Sequence, residues 1–202
     1  MSKVDINKKK KLESLLNTSF ELFTTKGISK TSISDIVEHA GVAKGTFYLY
    51  FKDKLDIRDR LILHKSGQLF AAAYTALLEK DIDAFPDRII FMAQYMLDEL
   101  NSNKPLLTLL YKDLSWGVFK KSLSAEYPEG EIQFIDIYRK MIGESGMKFR
   151  DPEIMLFLIV ELVGSAGYSS IIYGDPVNLA ELKPYLADAI RSIIATHTTL
   201  QE

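Results

Sequence analysis

The chain has 202 residues, 47% of them hydrophobic and 26% charged, a balance typical of a globular protein with a substantial core. It contains no cysteine, which excludes disulfides, zinc–thiolate sites and thiol catalysis. The net charge of −2 is unevenly distributed: residues 1–60 carry twelve Lys and Arg against eight Asp and Glu, so we expect only this part to meet a polyanion, with a chance excess as the alternative.

The first sixty residues predict three short helices joined by tight turns. The first is indicated by an apolar stripe at helical spacing, formed by Leu12, Leu15, Leu16, Phe20 and Phe23. Gly27 ends it. Ser32 and Asp35 match a capping box at the start of a second helix that ends at Gly41. A third helix must fit between Gly41 and Phe51, and this arrangement resembles a helix-turn-helix unit.

Longer helices follow. Breaks rich in Pro, Gly, Asn, Asp and Ser separate segments near 54–79, 87–101, 105–122, 131–143, 153–173 and 183–197, the last with Pro184 in its first turn. No segment alternates long enough for a strand, and the apolar stretch around Glu161 is too short for a membrane span. The prediction is an all-α protein of about nine helices: a three-helix N-terminal module, residues 1–52, followed by a larger bundle, residues 53–202.

The third predicted helix has two different faces. At 100° per residue, Phe47 and Tyr50 fall on the side that packs against the first two helices. Lys44, Gly45 and Tyr48 fall on the other side. A cation, a bare backbone position and a phenol at a helix N-terminus suit contact with the backbone and groove of a nucleic acid.

The segment TSISDIVEHAGVAKGTFYLYFKDKLDI, residues 31–57, resembles the DNA-binding signature of the TetR family of bacterial transcriptional regulators. The resemblance runs from the Phe20–Gly27 end of the first helix to Leu55, and no family-wide motif follows residue 60. It implies a homodimer whose second and third helices enter the major groove. It also implies that the C-terminal bundle binds an inducer and dimerises.

The resemblance further implies a set of DNA-binding residues: Thr31, Ser34, Lys44, Gly45, Thr46, Tyr48, Tyr50 and Lys54. The residues at the start of the third helix would touch bases or phosphates, the two tyrosines the DNA backbone, and Lys54 a phosphate. Thr31 and Ser34 would serve the first turn of the second helix. A packing role is the alternative for Tyr50. The lysine run 8–11 is either an arm that reaches DNA or a solvated tail.

The bundle is rich in aromatic residues that suit either a core or a ligand pocket. We expect the pocket to include Phe91, Tyr95, Trp116, Phe119, Tyr138 and Tyr168, with plain core packing as the alternative. The apolar surface of the last two helices predicts a dimer seam that includes Gly164, Gly167, Leu186, Ile190 and Ile193.

The motifs of common enzyme classes are missing from the sequence, which has neither a nucleophile elbow nor a phosphate-binding loop. Its three histidines have no ligand-like spacing, so no metal and no cofactor are expected. The sequence therefore predicts a cytoplasmic, ligand-responsive regulator without catalysis. It would act as a repressor on a pseudo-palindromic operator and be released by a small apolar or aromatic effector. Control by a protein partner is the first alternative, and a helical enzyme or carrier is the second.

Overall fold

The computed structural model describes residues 3–113 and 134–199, and within them it is helical, with one isolated β-bridge between Phe149 and Thr198. This confirms the all-α prediction. The described helices are α1 (Lys3–Thr25), α2 (Ile33–His39), α3 (Lys44–Tyr50), α4 (Lys54–Leu78), α5 (Phe85–Ser102), α6 (Lys104–Asp113), α7 (Phe134–Glu144), α8 (Pro152–Tyr173) and α9 (Leu179–His197).

Side-chain caps fix the starts of two helices in the N-terminal part. The predicted capping box is present: the Ser32 hydroxyl accepts from the Asp35 amide, and the Asp35 carboxylate accepts from the Ser32 amide. This exchange lowers the pKa of Asp35. Asp53 caps α4 by accepting from the amides of Leu55 and Asp56. Both caps hold the short α2 and α3 at defined positions between the long α1 and α4.

The N-terminal module has its own hydrophobic core. Its buried residues come from α1 to α4, from Phe51 after α3, and from α6: Leu15, Leu16, Leu22, Phe23, Ile36, Val37, Phe47, Phe51, Ile57, Leu61, Ile62, Leu109 and Leu110. We call this set the N-terminal core. The predicted boundary after residue 52 falls just before α4, but the core continues into α4 as far as Ile62 and also recruits α6.

The second core lies among α4, α5, α6, α7, α8 and α9. Here Gly167 on α8 packs directly against the side chain of Leu97 on α5. A Cβ atom at position 167 would overlap this side chain. The apolar stretch around Glu161 was predicted to be too short for a membrane span, but helix α8 as a whole is, by length and composition, long and apolar enough to cross a membrane. Met155 and Ile159 of α8 are nevertheless buried in this core, as expected of a central helix in a globular bundle.

The start of α9 and the structure of the lysine run 8–11 differ from the prediction. Helix α9 begins at Leu179 rather than near residue 183, because the Asn178 side chain accepts from the Glu181 amide and caps an earlier turn. Pro184 consequently lies inside the helix. Helix α1 already begins at Lys3, so the lysine run 8–11 is an exposed part of a helix. The predicted helix over 105–122 is described as far as Asp113, and its remainder lies outside the described residues.

Candidate nucleic-acid interface and ligand cavity

Helix α3 presents one polar face to solvent on a buried apolar base. Phe47 is fully buried and Phe51 is 2% exposed, and their rings pack at a centroid distance of 5.4 Å. On the opposite side, Lys44 and Gly45 are exposed and Tyr48 is 53% exposed. We call Lys44, Gly45 and Tyr48 the α3 face. The orientation is the one that helical spacing predicted, because the two aromatic rings anchor the other side.

The α3 face is free to meet a partner. Lys44 has no hydrogen-bond or ion-pair partner among the residues that the structure describes. At Gly45 a Cβ atom would meet nothing within 4 Å, so the fold itself does not require glycine there. The absence of a side chain at Gly45 instead leaves the backbone open to close approach from outside.

Thr31 and Lys54 are placed differently from the expectation that they face DNA. Thr31 is 1% exposed, and its hydroxyl donates to the main-chain oxygen of Gly27 at 2.9 Å. The Lys54 ammonium donates to the main-chain oxygens of Ile28 at 2.8 Å and Thr31 at 2.9 Å. Both side chains therefore stabilise the turn between α1 and α2, which is a correction to the predicted roles: burial removes Thr31 from the surface, and Lys54 is already engaged.

The other predicted DNA-binding residues lie on α2 and α3. Ser34 is exposed on α2, and Thr46 is half-buried on α3. The Tyr50 hydroxyl donates to the main-chain oxygen of Lys8 at 3.2 Å, which ties α3 to α1. Leu49, which sequence reasoning left off the contact set, is 81% exposed beside the α3 face. Its flanking position on the helical wheel was the signal that could have included it.

A cavity of about 410 Å³ lies between α4, α5, α6, α7 and α8. Its volume is within the range of about 300–1,000 Å³ that is usual for small-molecule sites. Most of its lining is aliphatic or aromatic: Ser66, Leu69, Phe70, Ile89, Met92, Ala93, Met96, Leu97, Leu100, Leu107, Leu110, Tyr111, Tyr138, Leu156, Ile159, Val160, Glu161, Val163, Gly164 and Ser165. Such a lining suits an apolar ligand.

Of the six aromatic residues predicted for a pocket, Tyr138 lines the cavity. Phe91 and Tyr95 belong to another face of α5, where their rings pack near each other at 6.4 Å. Tyr168 does not line the cavity, but its ring stacks on that of Tyr111, which does line it. The remaining two, Trp116 and Phe119, lie outside the described residues.

Two tyrosines near the cavity are held in their neutral form. The Tyr138 hydroxyl donates to the main-chain oxygen of Pro152 at 2.8 Å, and burial raises the pKa of Tyr138 well above its usual range. Burial, followed by a hydrogen bond with Tyr173, raises the pKa of Tyr168 as well. These hydroxyls therefore add polarity near the cavity without adding charge.

Helix α6 connects the cavity to the N-terminal core. Leu110 belongs to the N-terminal core, where it is 6% exposed, and it also lines the cavity. Leu107, one turn earlier, is buried in the second core and lines the same cavity. Leu110 therefore contributes both to the cavity wall and to the core that contains the buried residues of α2 and α3. Periodicity predicted the helix but gave no indication that it is shared.

The predicted dimer seam requires a correction. Gly167 packs against Leu97 inside the same chain, and Leu186 and Ile190 are 4% and 1% exposed. These three residues are covered by their own chain, so they offer no surface to a partner. Ile193 is half-buried and Gly164 is exposed at the cavity. The exposed apolar residues of the same two helices are Ile154, Leu158, Tyr173 and Tyr185.

Comparisons with known proteins agree with this geometry. Residues 15–61 match the family model described as bacterial regulatory proteins, tetR family. An uncharacterized HTH-type transcriptional regulator of Bacillus subtilis is 44% identical over 63 residues, 29% of this chain and 32% of that protein. A fatty acid metabolism regulator protein of the same organism is 36% identical over 73 residues, 36% of this chain and 38% of that protein. The chain thus spans about a third of the length of these curated relatives.

Solved structures resemble the chain over nearly its whole length. A TetR-family transcriptional regulator from Streptomyces coelicolor superposes with a TM-score of 0.67 at 13% identity, covering 93% of this chain and 99% of that one. The transcriptional regulator FadR from Bacillus subtilis, in complex with stearoyl-CoA, gives 0.65 at 19% identity, covering 90% and 98%. At such low identity these likenesses establish the fold alone.

Proposed function

Since the chain belongs to the TetR family of bacterial regulatory proteins, we propose that it is a DNA-binding repressor that a small effector releases from its operator. The observation that carries the proposal is the α3 face, on which the exposed Lys44 and the bare backbone of Gly45 lie opposite a buried aromatic base. A rigid helix with a free cation and room for close approach suits the major groove.

Within this proposal the residues of α2 and α3 have distinct tasks. Lys44 reads a base edge or holds a phosphate at the groove, and Gly45 lets the DNA backbone approach the helix. The hydroxyls of Ser34, Thr46 and Tyr48 donate to phosphates and fix the register. Thr31, Tyr50 and Lys54 act indirectly, because their polar atoms hold α1, α2 and α3 together.

The effector site is the cavity beside α6. Its apolar lining and its volume of about 410 Å³ support control by a small molecule rather than by a protein partner. Two related proteins, a fatty acid metabolism regulator and a structure that contains stearoyl-CoA, also suggest a ligand with an apolar part. Because Leu110 lies in both the cavity wall and the N-terminal core, ligand binding there changes the support of α2 and α3.

We propose that the repressor is a homodimer in the cytoplasm. Ile154 and Leu158 lie one turn apart on α8 and are 53% and 40% exposed, and Tyr185 on α9 is 70% exposed. Covering these side chains with the same face of a second copy forms a two-fold seam. A two-fold dimer presents two α3 faces to a pseudo-palindromic operator whose half-sites lie about 34–36 Å apart or a multiple of that.

The test begins with selection of binding sites from random duplexes, followed by anisotropy titrations with the selected operator. Lys44→Ala should weaken operator binding by about 1–3 kcal/mol if it reads a base. The affinity of an effector found by thermal-shift screening is then measured with and without operator. The two ligands should weaken each other by the same factor, which corresponds to about 1–3 kcal/mol. Parent-like DNA binding by Lys44→Ala, or equal effector affinities, would contradict the corresponding part of the proposal.

A further inference from the structure

The charge of the cavity is confined to one carboxylate. Among the lining residues in 3–113 and 134–199, Glu161 alone carries a formal charge, and no Lys, Arg or His lines the cavity. Within the same ranges, Glu161 has no hydrogen-bond or ion-pair partner. Glu161 is exposed, so a cationic ligand at this position could pair with its carboxylate.

Glu161 lies where the cavity opens to the surface of the chain, on the same face of α8 as Ile154 and Leu158 of the proposed seam. Glu161, Gly164, Ser165 and Tyr168 are spaced at i, i+3, i+4 and i+7, so they share one face of α8. The first three line the cavity and are exposed, whereas the remaining lining residues of α8 are buried or half-buried. This stripe therefore forms the mouth, and the apolar walls lie behind it.

An aromatic stack completes the mouth. Tyr111 on α6 lines the cavity and stacks on Tyr168, with ring centroids 3.7 Å apart and planes only 10° from parallel. Tyr173 meets Tyr168 edge to face at 6.0 Å. Neutral tyrosine rings present negative potential on their faces, which attracts an ammonium group. The carboxylate of Glu161 and the ring of Tyr111, which both belong to the cavity lining, thus favour the same sign of charge.

Resting on the proposed function, in which this cavity holds the effector, we propose that the effector is an amphiphilic cation. Its ammonium-type head group lies at the mouth, beside Glu161 and the ring of Tyr111. Its alkyl chain or apolar ring system fills the space lined by α5 and α8. Attraction to an unpaired carboxylate fixes the head, and burial of apolar surface supplies most of the affinity.

The same features disfavour an anionic ligand. A fatty-acid carboxylate or an acyl-CoA phosphate at this mouth would stand next to Glu161 without a compensating cation from the described lining. Like charges at short range weaken binding, and such repulsion is a usual source of specificity. The cavity therefore selects a head group different from that of the stearoyl-CoA in the structure from Bacillus subtilis.

The experiment compares three ligands with the same alkyl chain, namely decyltrimethylammonium, decanol and decanoate, by calorimetric titration of the full chain below micelle-forming concentrations. We expect the ammonium compound to bind most tightly and decanoate most weakly. Glu161→Gln should narrow the ratio of cation to anion affinity by roughly tenfold. Glu153→Gln is the matched control, because it removes an exposed carboxylate of α8 that does not line the cavity.

Tyr111→Leu should weaken binding of the ammonium compound more than binding of decanol, because only the charged head group uses the ring face. Light scattering on each variant verifies that the assembly state is unchanged. Binding of decanoate as tight as that of the cation, no binding of any of the three, or an unchanged ratio in Glu161→Gln would overturn the proposal. The wild-type series decides the question even if a variant fails to fold.

Operator binding, measured in parallel, separates this inference from the proposed function. If the cation binds with the expected preference but leaves operator affinity unchanged, the preference stands and the regulatory role is refuted. If decanoate binds best and releases the operator, the regulatory role stands and the cation preference is refuted.

Discussion

The ammonium of Lys54, at the start of α4, donates to the main-chain oxygen of Thr31, just before α2, at 2.9 Å. The same ammonium donates to the main-chain oxygen of Ile28 at 2.8 Å. A single cation thereby closes the turn that precedes the helix-turn-helix unit and joins it to the helix that leads into the bundle. A lysine in the DNA-binding segment is thus used for the fold, and its removal should have a different signature from the loss of a phosphate contact.

Replacement of Lys54 by Met should lower the free energy of unfolding by about 1–2 kcal/mol, because the partly buried main-chain oxygens of Ile28 and Thr31 would lose their charged hydrogen-bond donor. DNA affinity should fall for all duplexes, while the dependence of affinity on salt stays close to that of the parent. Lys52→Ala is the matched control, because Lys52 is exposed and its side chain has no partner among the described residues. If Lys52 contacts a phosphate, removing its side chain reduces the slope of log binding constant against log salt concentration by about 0.9, without affecting stability. If Lys54→Met instead reduced the dependence of DNA affinity on salt, Lys54 would contact a DNA phosphate and the assignment to the turn would be wrong.

Replacement of Gly45 by Ala should separate folding from DNA binding. A Cβ atom at Gly45 meets nothing within 4 Å, so stability should stay level or rise by up to about 1 kcal/mol through helix propensity. Operator affinity should fall, because the added methyl group occupies the space that DNA needs. Gly67→Ala is a close control, since Gly67 on α4 has the same open surroundings and lies away from the α3 face. Equal operator affinity of the parent and Gly45→Ala would show that DNA does not approach this backbone.

The two glycines of α8 should respond differently to alanine. At Gly167 the new methyl group overlaps the side chain of Leu97, so we expect a loss of about 1–3 kcal/mol in chemical denaturation. At Gly164 a Cβ atom meets nothing within 4 Å, and the change should be small. Light scattering should show the same assembly state for both variants, because Gly167 is covered within its own chain. If Gly167→Ala dissociated the dimer without changing stability, Gly167 would belong to the dimer interface after all.

The stability of the protein should depend on Tyr138 in alkaline solution. Because burial raises the pKa of Tyr138 in the folded state, the unfolded chain, with an ordinary tyrosine pKa of about 10, releases this proton first. The contribution of Tyr138 is therefore complete below about pH 10 and is lost as the pH rises beyond it. Tyr138→Phe removes this dependence and the hydrogen bond to Pro152, at a neutral-pH cost of about 0.5–1.5 kcal/mol.

Urea denaturation of the parent and Tyr138→Phe, at neutral pH and at about pH 11, measures the effect. The difference in the free energy of unfolding should shrink or change sign at the higher pH. A difference that is the same at both values would show that Tyr138 ionises as easily in the folded protein as in the unfolded one.

Sequence patterns predicted the features of this fold that depend on local chemistry. The Ser32 and Asp35 capping box and the inward side of Phe47 follow from spacing along one helix, and the structure has both. Sequence patterns were less informative about which other helix, in the same chain or in a second copy, covers an apolar helix face. Leu186 and Ile190 predicted a seam, but the chain covers them itself. The start of α9 was missed because the Asn178 cap outweighs the expected placement of Pro184 near the first turn.

The cavity shows the same limit. Aromatic content alone did not separate Tyr138, which lines it, from Tyr95 on another face of α5. The contact between Tyr111 and Tyr168 joins residues far apart in the chain, and the charge of Glu161 at the mouth gains meaning only once its neighbours are known. These features depend on how helices assemble, which hydrophobic periodicity does not encode.

The shared position of Leu110 limits how this protein can be redesigned as a biosensor. A library that alters ligand preference at Leu110 also alters the packing of the N-terminal core, in which α6 contacts α1 and α4, so its members would change basal transcription together with their response. Met96 on α5 and Val160 on α8 line the same cavity and lie outside the N-terminal core. Substitutions at these two positions should change which compound is bound, while transcription in the absence of ligand stays unchanged.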